Sequence, residues 1–159
     1  MRKKSKYRPK GLLPDPVNWV LAGLKPFTSV SVSTDARIKN HDAMDTLRRG
    51  DGTKATIDVL IGAFNMCMGY TMLRPELGAD WYDEIKAGLD ALHAVGSRGA
   101  QTGRFILKAE ELKAMNLVME LHDTQMENTT LRDMELALAI VERERKAKRT
   151  RAIVKKETT

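Results

Sequence analysis

The longest apolar stretch of the chain, residues 57–73, restricts the possible folds more than any other feature. Asp58, Gly62 and Asn65 interrupt it, so it is a poor candidate for a membrane span. Apolar residues nevertheless cover most of the circumference of a helix built from this stretch, which is typical of a helix buried inside a domain. The sequence therefore predicts a central helix over about residues 53–73, ended by Arg74-Pro75.

Most of the remaining chain also has the spacing of amphipathic helices, and only 5% of its residues are aromatic. The one alternating stretch, residues 28–33, is too isolated to build a sheet and is predicted to be an extended connector. These patterns predict an all-α fold, either a five- to six-helix bundle or an orthogonal helical array, with basic flexible termini. Capping residues place the other helix starts at Asp15, at Thr34 or Asp35, near Asp80, near Ala109 and at Thr130.

Apolar residues three or four positions apart mark the predicted inner face of each helix. We expect the helix from Asp15 to end before Pro26, and Gly96-Ser97-Arg98-Gly99 to break the helix that starts near Asp80. The predicted inner faces are Trp19, Val20 and Leu24; Ile38, His41, Met44 and Leu47; Trp81, Ile85, Leu89 and Leu92; Leu112, Met115, Met119, His122 and Met126; and Leu131, Met134, Leu138 and Val141.

The net charge of +6 conceals two strongly basic ends. Residues 1–10 carry six basic groups and no acid, and residues 143–159 carry eight basic groups and two acids. Each end therefore contributes +6, which leaves −6 for the rest of the chain. We interpret residues 1–14 as a basic N-terminal arm, residues 15–142 as a helical domain, and residues 143–159 as a basic C-terminal helix extension or tail.

The basic ends are the strongest functional signal, because Lys and Arg on a solvated tail neutralise phosphates and release counterions. Tyr7 adds an aromatic ring that can stack on a base. Arg98 and Arg104 lie in or near the glycine-rich segment and are further candidate anion contacts. The predicted nucleic-acid-binding residues are Arg2, Lys3, Lys4, Lys6, Tyr7, Arg8, Lys10, Arg98, Arg104, Arg143, Arg145, Lys146, Lys148, Arg149 and Arg151.

We predict no catalytic residue, no metal ligand and no cofactor, because no motif for this chemistry stands out. His-Asp pairs at His41 and His122 are similar to the pairs that hold metals in all-helical phosphohydrolases. However, Asp133 follows His122 too closely to serve as the distant aspartate of such a site. The simpler interpretation is a half-buried histidine on an amphipathic helix, hydrogen-bonded to a neighbouring carboxylate or carbonyl.

Two features predict a cytoplasmic protein without a membrane partner. Cys67 is the only cysteine, which excludes an internal disulfide and is typical of a reducing compartment. The basic start, residues 1–4, is followed by prolines at 9, 14 and 16 rather than by the apolar segment of a signal peptide.

Several segments together carry a resemblance that runs over most of the chain: RKKSKYRP from Arg2, RIKNH from Arg37, LRRG from Leu47, TGRFI from Thr102 and LHDTQM from Leu121. In these segments the chain resembles small helical proteins that temperate phages and prophages of proteobacteria encode, a group with no established activity. The resemblance implies the cytoplasm of a bacterial host and a role in host takeover, gene regulation or counter-defence. It assigns no functional residue.

The sequence thus predicts a non-enzymatic binding protein whose helical body makes protein contacts and whose basic ends contact nucleic acid or a nucleoprotein complex. Two alternatives remain open. The body is an inhibitor or adaptor that binds a host protein complex without nucleic acid, or the chain is a structural protein that forms homo-oligomers through its projecting last helix.

Overall fold

The computed structural model describes residues 32–148, and this part of the chain is all-α, as predicted. The helix predicted from Asp15 and the basic segments before residue 32 and after residue 148 lie outside the described residues. Two short 3₁₀ turns, Pro75–Leu77 and Ala79–Trp81, connect the second and third helices. The helices are α1 (Val32–Arg48), α2 (Lys54–Leu73), α3 (Tyr82–Thr102), α4 (Ala109–Glu127) and α5 (Leu131–Lys146).

Helix α2 is the centre of the fold and packs against each of the other four helices, which confirms the prediction from its apolar circumference. Phe64 and Cys67 on this helix are fully buried. Thr53 caps its first turn, because its hydroxyl accepts the Thr56 N–H while the Thr56 hydroxyl accepts the Thr53 N–H. The helix ends before Arg74-Pro75, as the proline predicts.

Helix α2 is also the one described helix long and apolar enough to cross a membrane by length and composition. Half of its most apolar window is buried inside the protein. Because the core helix of a water-soluble protein passes the same test, this property is only a weak indication of a membrane span.

Helix α1 differs from the prediction at its start and on its surface. It begins at Val32 rather than after a cap at Thr34 or Asp35, so the end of the predicted extended connector is helical. An isolated extended segment has no strand to pair with, and helix satisfies its backbone groups locally. Met44 and Leu47 are buried as predicted, but Ile38 is 62% exposed because it lies about 120° around the helix from Met44.

The predicted break at Gly96–Gly99 is wrong, because α3 runs without interruption from Tyr82 to Thr102. It ends instead at Gly103, which has the left-handed φ of +76° that favours glycine. Gly99 is buried, and a Cβ there would overlap the Phe105 ring. This glycine therefore allows close packing of the following loop and does not end the helix.

Helices α4 and α5 begin where their sequences predict. Thr130 caps α5, since its hydroxyl accepts the Asp133 N–H at 3.2 Å and the Asp133 carboxylate accepts the Thr130 N–H at 3.0 Å. Four of the five predicted inner residues of α4 are buried, whereas α5 has Ala137 as its one fully buried residue and leaves Leu138 54% exposed. Within the described part, α5 packs chiefly on α2, so it covers less of its own apolar surface than α4 does.

Candidate functional site

The predicted contacts with nucleic acid divide into residues inside and outside the described part of the chain. Six of them are described, and they occupy two places in the fold. Arg98 and Arg104 lie near the end of α3, while the remaining four cations lie at the end of α5. The candidates outside the described residues are Arg2, Lys3, Lys4, Lys6, Tyr7, Arg8, Lys10, Arg149 and Arg151.

The end of α5 carries the described basic cluster, which consists of Arg143, Arg145, Lys146 and Lys148. All four residues are exposed, and cations in the last helical turn interact favourably with the negative end of the helix dipole. Lys148 follows the helix with a left-handed φ of +56°, so the helical conformation has ended at this residue.

Ion pairs within α5 only partly neutralise this basic cluster. Arg145 donates two hydrogen bonds to Glu142, at 2.6 and 2.9 Å, and Lys146 lies 3.9 Å from the same carboxylate. The Arg145 hydrogen bond lowers the pKa of Glu142. Such pairs are worth little in water, so a polyanion can compete for the cations at small cost. The cluster therefore keeps exposed positive charge at the end of α5.

Arg98 has a different environment, because its guanidinium clamps the loop between α3 and α4. Its two terminal nitrogens donate to the two carboxylate oxygens of Glu111 at 2.9 and 2.6 Å, and one of them also donates to the Ile106 carbonyl at 2.8 Å. Hydrogen bonding to Glu111 raises the pKa of Arg98. An anion at this position would have to displace Glu111, whereas Arg104 is exposed on the same loop.

The histidines meet different partners from those that the His-Asp dipeptides suggest. His41 Nε2 lies 2.7 Å from Asp123 Oδ2, and Arg37 contacts both Asp123 at 3.4 Å and Glu127 at 3.2 Å. This cluster joins α1 to α4 on the surface. Among residues 32–148, no three His, Cys, Asp or Glu side chains come together as a set of metal ligands.

Cys67 is enclosed in the core, where burial raises the pKa of its thiol to about 12. Because the thiolate is the nucleophilic form, this cysteine is unreactive in the folded protein. Its position is that of a small apolar core residue.

His122 is buried, with 4% of its surface exposed, and its ring lies 6.1 Å from that of Tyr70. Burial lowers the pKa of His122 from the ordinary value of 6.5, against the opposing influence of the Gln125 side chain. The Nδ1 atom has no partner at hydrogen-bond distance. The imidazole is therefore neutral at pH 7; it lines a cavity, and its buried Nδ1 finds no partner among the described residues.

We expect this buried histidine to destabilise the fold in mild acid. The unfolded chain binds a proton more readily than the folded protein, so the stability present above about pH 6.5 falls as the pH drops towards the folded-state pKa. Urea unfolding at about pH 7.5 and about pH 5.5 should show a smaller loss for His122→Leu than for the wild type. Parallel losses in the two proteins would contradict this assignment.

The sequence did not predict the cavity beside His122. It is a groove of about 370 Å³ along α2, with walls from α1, α4 and α5. Gly62 lies in it, and a Cβ at this position would meet nothing within 4 Å. A glycine inside an otherwise apolar helix was the available signal, because such a residue often marks a close approach by another group.

Comparisons with protein-family profiles, with curated proteins and with solved structures find no match for this chain.

Proposed function

We propose that this chain is a non-enzymatic, phage-type binding protein of the bacterial host cytoplasm, whose basic ends contact nucleic acid or a nucleoprotein complex. Host takeover, gene regulation and counter-defence are the roles that this activity would serve. The supporting observation is the separation of charge: residues 32–142 hold 12 basic and 18 acidic groups, whereas both ends are basic. The exposed cluster at the end of α5 continues directly into the basic C-terminal segment.

This separation favours contact with the phosphate backbone rather than with base edges. The net negative body repels nucleic acid, so attraction is confined to the two ends. Cations on a terminal segment neutralise phosphates without a fixed geometry, and they carry no sequence information. Binding should therefore be strongly salt-dependent and similar for unrelated sequences.

Neutralising four C-terminal cations should weaken binding about tenfold or more and flatten its salt dependence. Each lost phosphate contact reduces the slope of log K against log salt by about 0.9, so the slope should change by about 3 to 4. Fluorescence anisotropy with two unrelated duplexes and one RNA measures both quantities. The variant replaces Lys148, Arg149, Arg151 and Lys155 with glutamine.

A control variant removes the same number of charges from the exposed surface of the body and should leave the salt slope unchanged. Equal effects in the two variants would mean that net charge alone drives binding. Salt-independent binding, or no binding to DNA and RNA, would refute the proposal. The control replaces Arg49, Lys54, Lys86 and Lys113 with glutamine.

The second candidate function is an inhibitor or adaptor that binds a host protein complex without nucleic acid. Exposed apolar side chains on the body favour it, chiefly Ile38 on α1 and Leu138 on α5. Affinity purification from bacterial lysate, with and without nuclease, separates the two candidates. A protein complex that survives nuclease supports the inhibitor, whereas partners that disappear together with nucleic acid support the first proposal.

A further inference from the structure

The groove along α2 has no role in the proposed nucleic-acid contact. Its floor is formed by α2 itself, where Val59 and Met66 are only partly buried, and Met134 of α5 lines it as well. Methionine side chains are flexible and adapt to the shape of an apolar partner. An open apolar groove of this size in the middle of the fold leaves the central helix incompletely covered.

The floor of the groove is open at the point where a partner would come closest. Gly62 gives the helix no side chain there, and the space above it is empty out to 4 Å. His122 also lines the groove, and its Nδ1 is buried without a partner at hydrogen-bond distance among the described residues. The groove thus offers chiefly apolar contacts to an occupant.

We propose that residues 16–24 of the same chain dock into this groove, with Trp19 as the main contact. The segment reads PVNWVLAGL and is the most apolar part of the sequence before residue 32. It follows Asp15, a helix-capping residue, and carries Trp19, Val20 and Leu24 at helical spacing. A segment this apolar gains free energy when an apolar surface covers it.

The path of the chain favours this occupant over a separate partner. Helix α1 begins at Val32, and its residues Ala36, Lys39 and Asn40 form one wall of the groove. Residues 25–31 therefore link the segment to the groove, and seven residues span up to about 24 Å when extended. A tether this short gives the segment an effective concentration of the order of millimolar.

The chemistry of Trp19 also matches the groove. An indole buries roughly 150–250 Å² of mostly apolar surface, and its N–H requires an acceptor when it is buried. Asn40 and Asp58, which also line the groove, carry such acceptors. Docking would start the basic arm, residues 2–10, at the edge of the body instead of at the end of a long tether. This inference does not depend on nucleic-acid binding.

Tryptophan fluorescence tests the docking. Trp81→Phe leaves Trp19 as the only tryptophan, and Trp81 is 45% exposed, so the change is mild. We expect Trp19 emission to be blue-shifted and protected from acrylamide. Adding Gly62→Lys should shift the emission to the red, because the new side chain enters the groove at a position where a Cβ meets no neighbour within 4 Å. Met72→Lys, at an exposed position of α2 away from the groove, should have no effect.

An emission maximum typical of exposed indole in the Trp81→Phe protein would overturn the proposal, as would equal responses to the two lysines. Circular dichroism checks that both lysine variants remain folded.

Disulfide trapping identifies the chain that supplies the segment. The double variant Val20→Cys with Gly62→Cys should oxidise to a disulfide-linked monomer at micromolar protein, since Cys67 is buried and unreactive. A disulfide-linked dimer would show that a second copy fills the groove and would overturn docking within the chain. Failure of the two cysteines to join under oxidation would overturn it as well.

Discussion

Replacement of Gly88 with valine is expected to lower the free energy of unfolding by about 3 kcal/mol. Gly88 is buried where α3 packs on α4, and a Cβ at this position would overlap Cγ2 of Val118 and lie 3.2 Å from the Ala114 carbonyl oxygen. Neither neighbour gives way easily, because Val118 has a restricted rotamer on a helix and the carbonyl belongs to the α4 backbone. The two helices must therefore move apart, which loosens the contacts of the surrounding core.

Ala87→Val is the matched control, since Ala87 is the exposed neighbour of Gly88 on the same helix. It should cost only about 0.5 kcal/mol, the difference in helix propensity between alanine and valine. Urea unfolding followed by circular dichroism gives both values. Similar costs for the two variants would show that α3 and α4 do not pack as closely as the glycine requires.

Gln125→Leu is the second variant with a large expected effect, a loss of about 2–3 kcal/mol. The Gln125 side-chain amide donates to the Leu77 carbonyl at 2.7 Å and to the Cys67 carbonyl at 3.0 Å, and it also lies 3.3 Å from the Thr71 hydroxyl. It thereby fastens the turn after α2 to α4. Leucine has a similar size but takes this donor from the Leu77 carbonyl, whereas the Cys67 carbonyl still accepts from the Thr71 hydroxyl. Among the described residues the Gln125 Oε1 atom has no partner at hydrogen-bond distance, so its removal offsets part of the cost.

Thr124→Ala serves as the control for Gln125→Leu. Thr124 is adjacent and exposed, and its hydroxyl bonds only to the Glu120 carbonyl of its own helix. We expect a change within about 0.5 kcal/mol for this variant. An equally small loss in the free energy of unfolding for Gln125→Leu would show that the Gln125 amide does not hold the turn against α4.

The helices that sequence predicts well are those whose ends and inner faces are decided locally. Thr53 and Thr130 cap their helices through residues three positions later, so the signal is contained within one turn. Met115, Met119 and Met126 repeat on one face of α4, which depends only on the helical period. The central position of α2 follows from its composition, because no face of it is polar enough to stay in water.

The features that sequence did not predict depend on residues that are distant or on neighbouring elements. A glycine that ends a helix and a glycine that admits a neighbour look the same in the sequence, and only the position of Phe105 distinguishes them at Gly99. From the sequence, Arg98 is a candidate anion contact. In the fold, the loop places Glu111 beside Arg98, and the two side chains form an ion pair. The groove beside Gly62 exists because α1 and α5 stand apart on α2, a spacing that no local pattern specifies.

Helix α5 packs chiefly on one neighbour, and this affects which part of the described body unfolds locally first. Regions with few buried residues exchange their amide hydrogens through local fluctuations well below the free energy of global unfolding. Helix α5 has one fully buried residue and packs chiefly on α2, whereas α2 is held from four sides. We therefore expect the helix that bears the basic cluster to exchange its amide hydrogens earlier than α2 does. Partial opening can extend the reach of these cations while the rest of the fold stays intact.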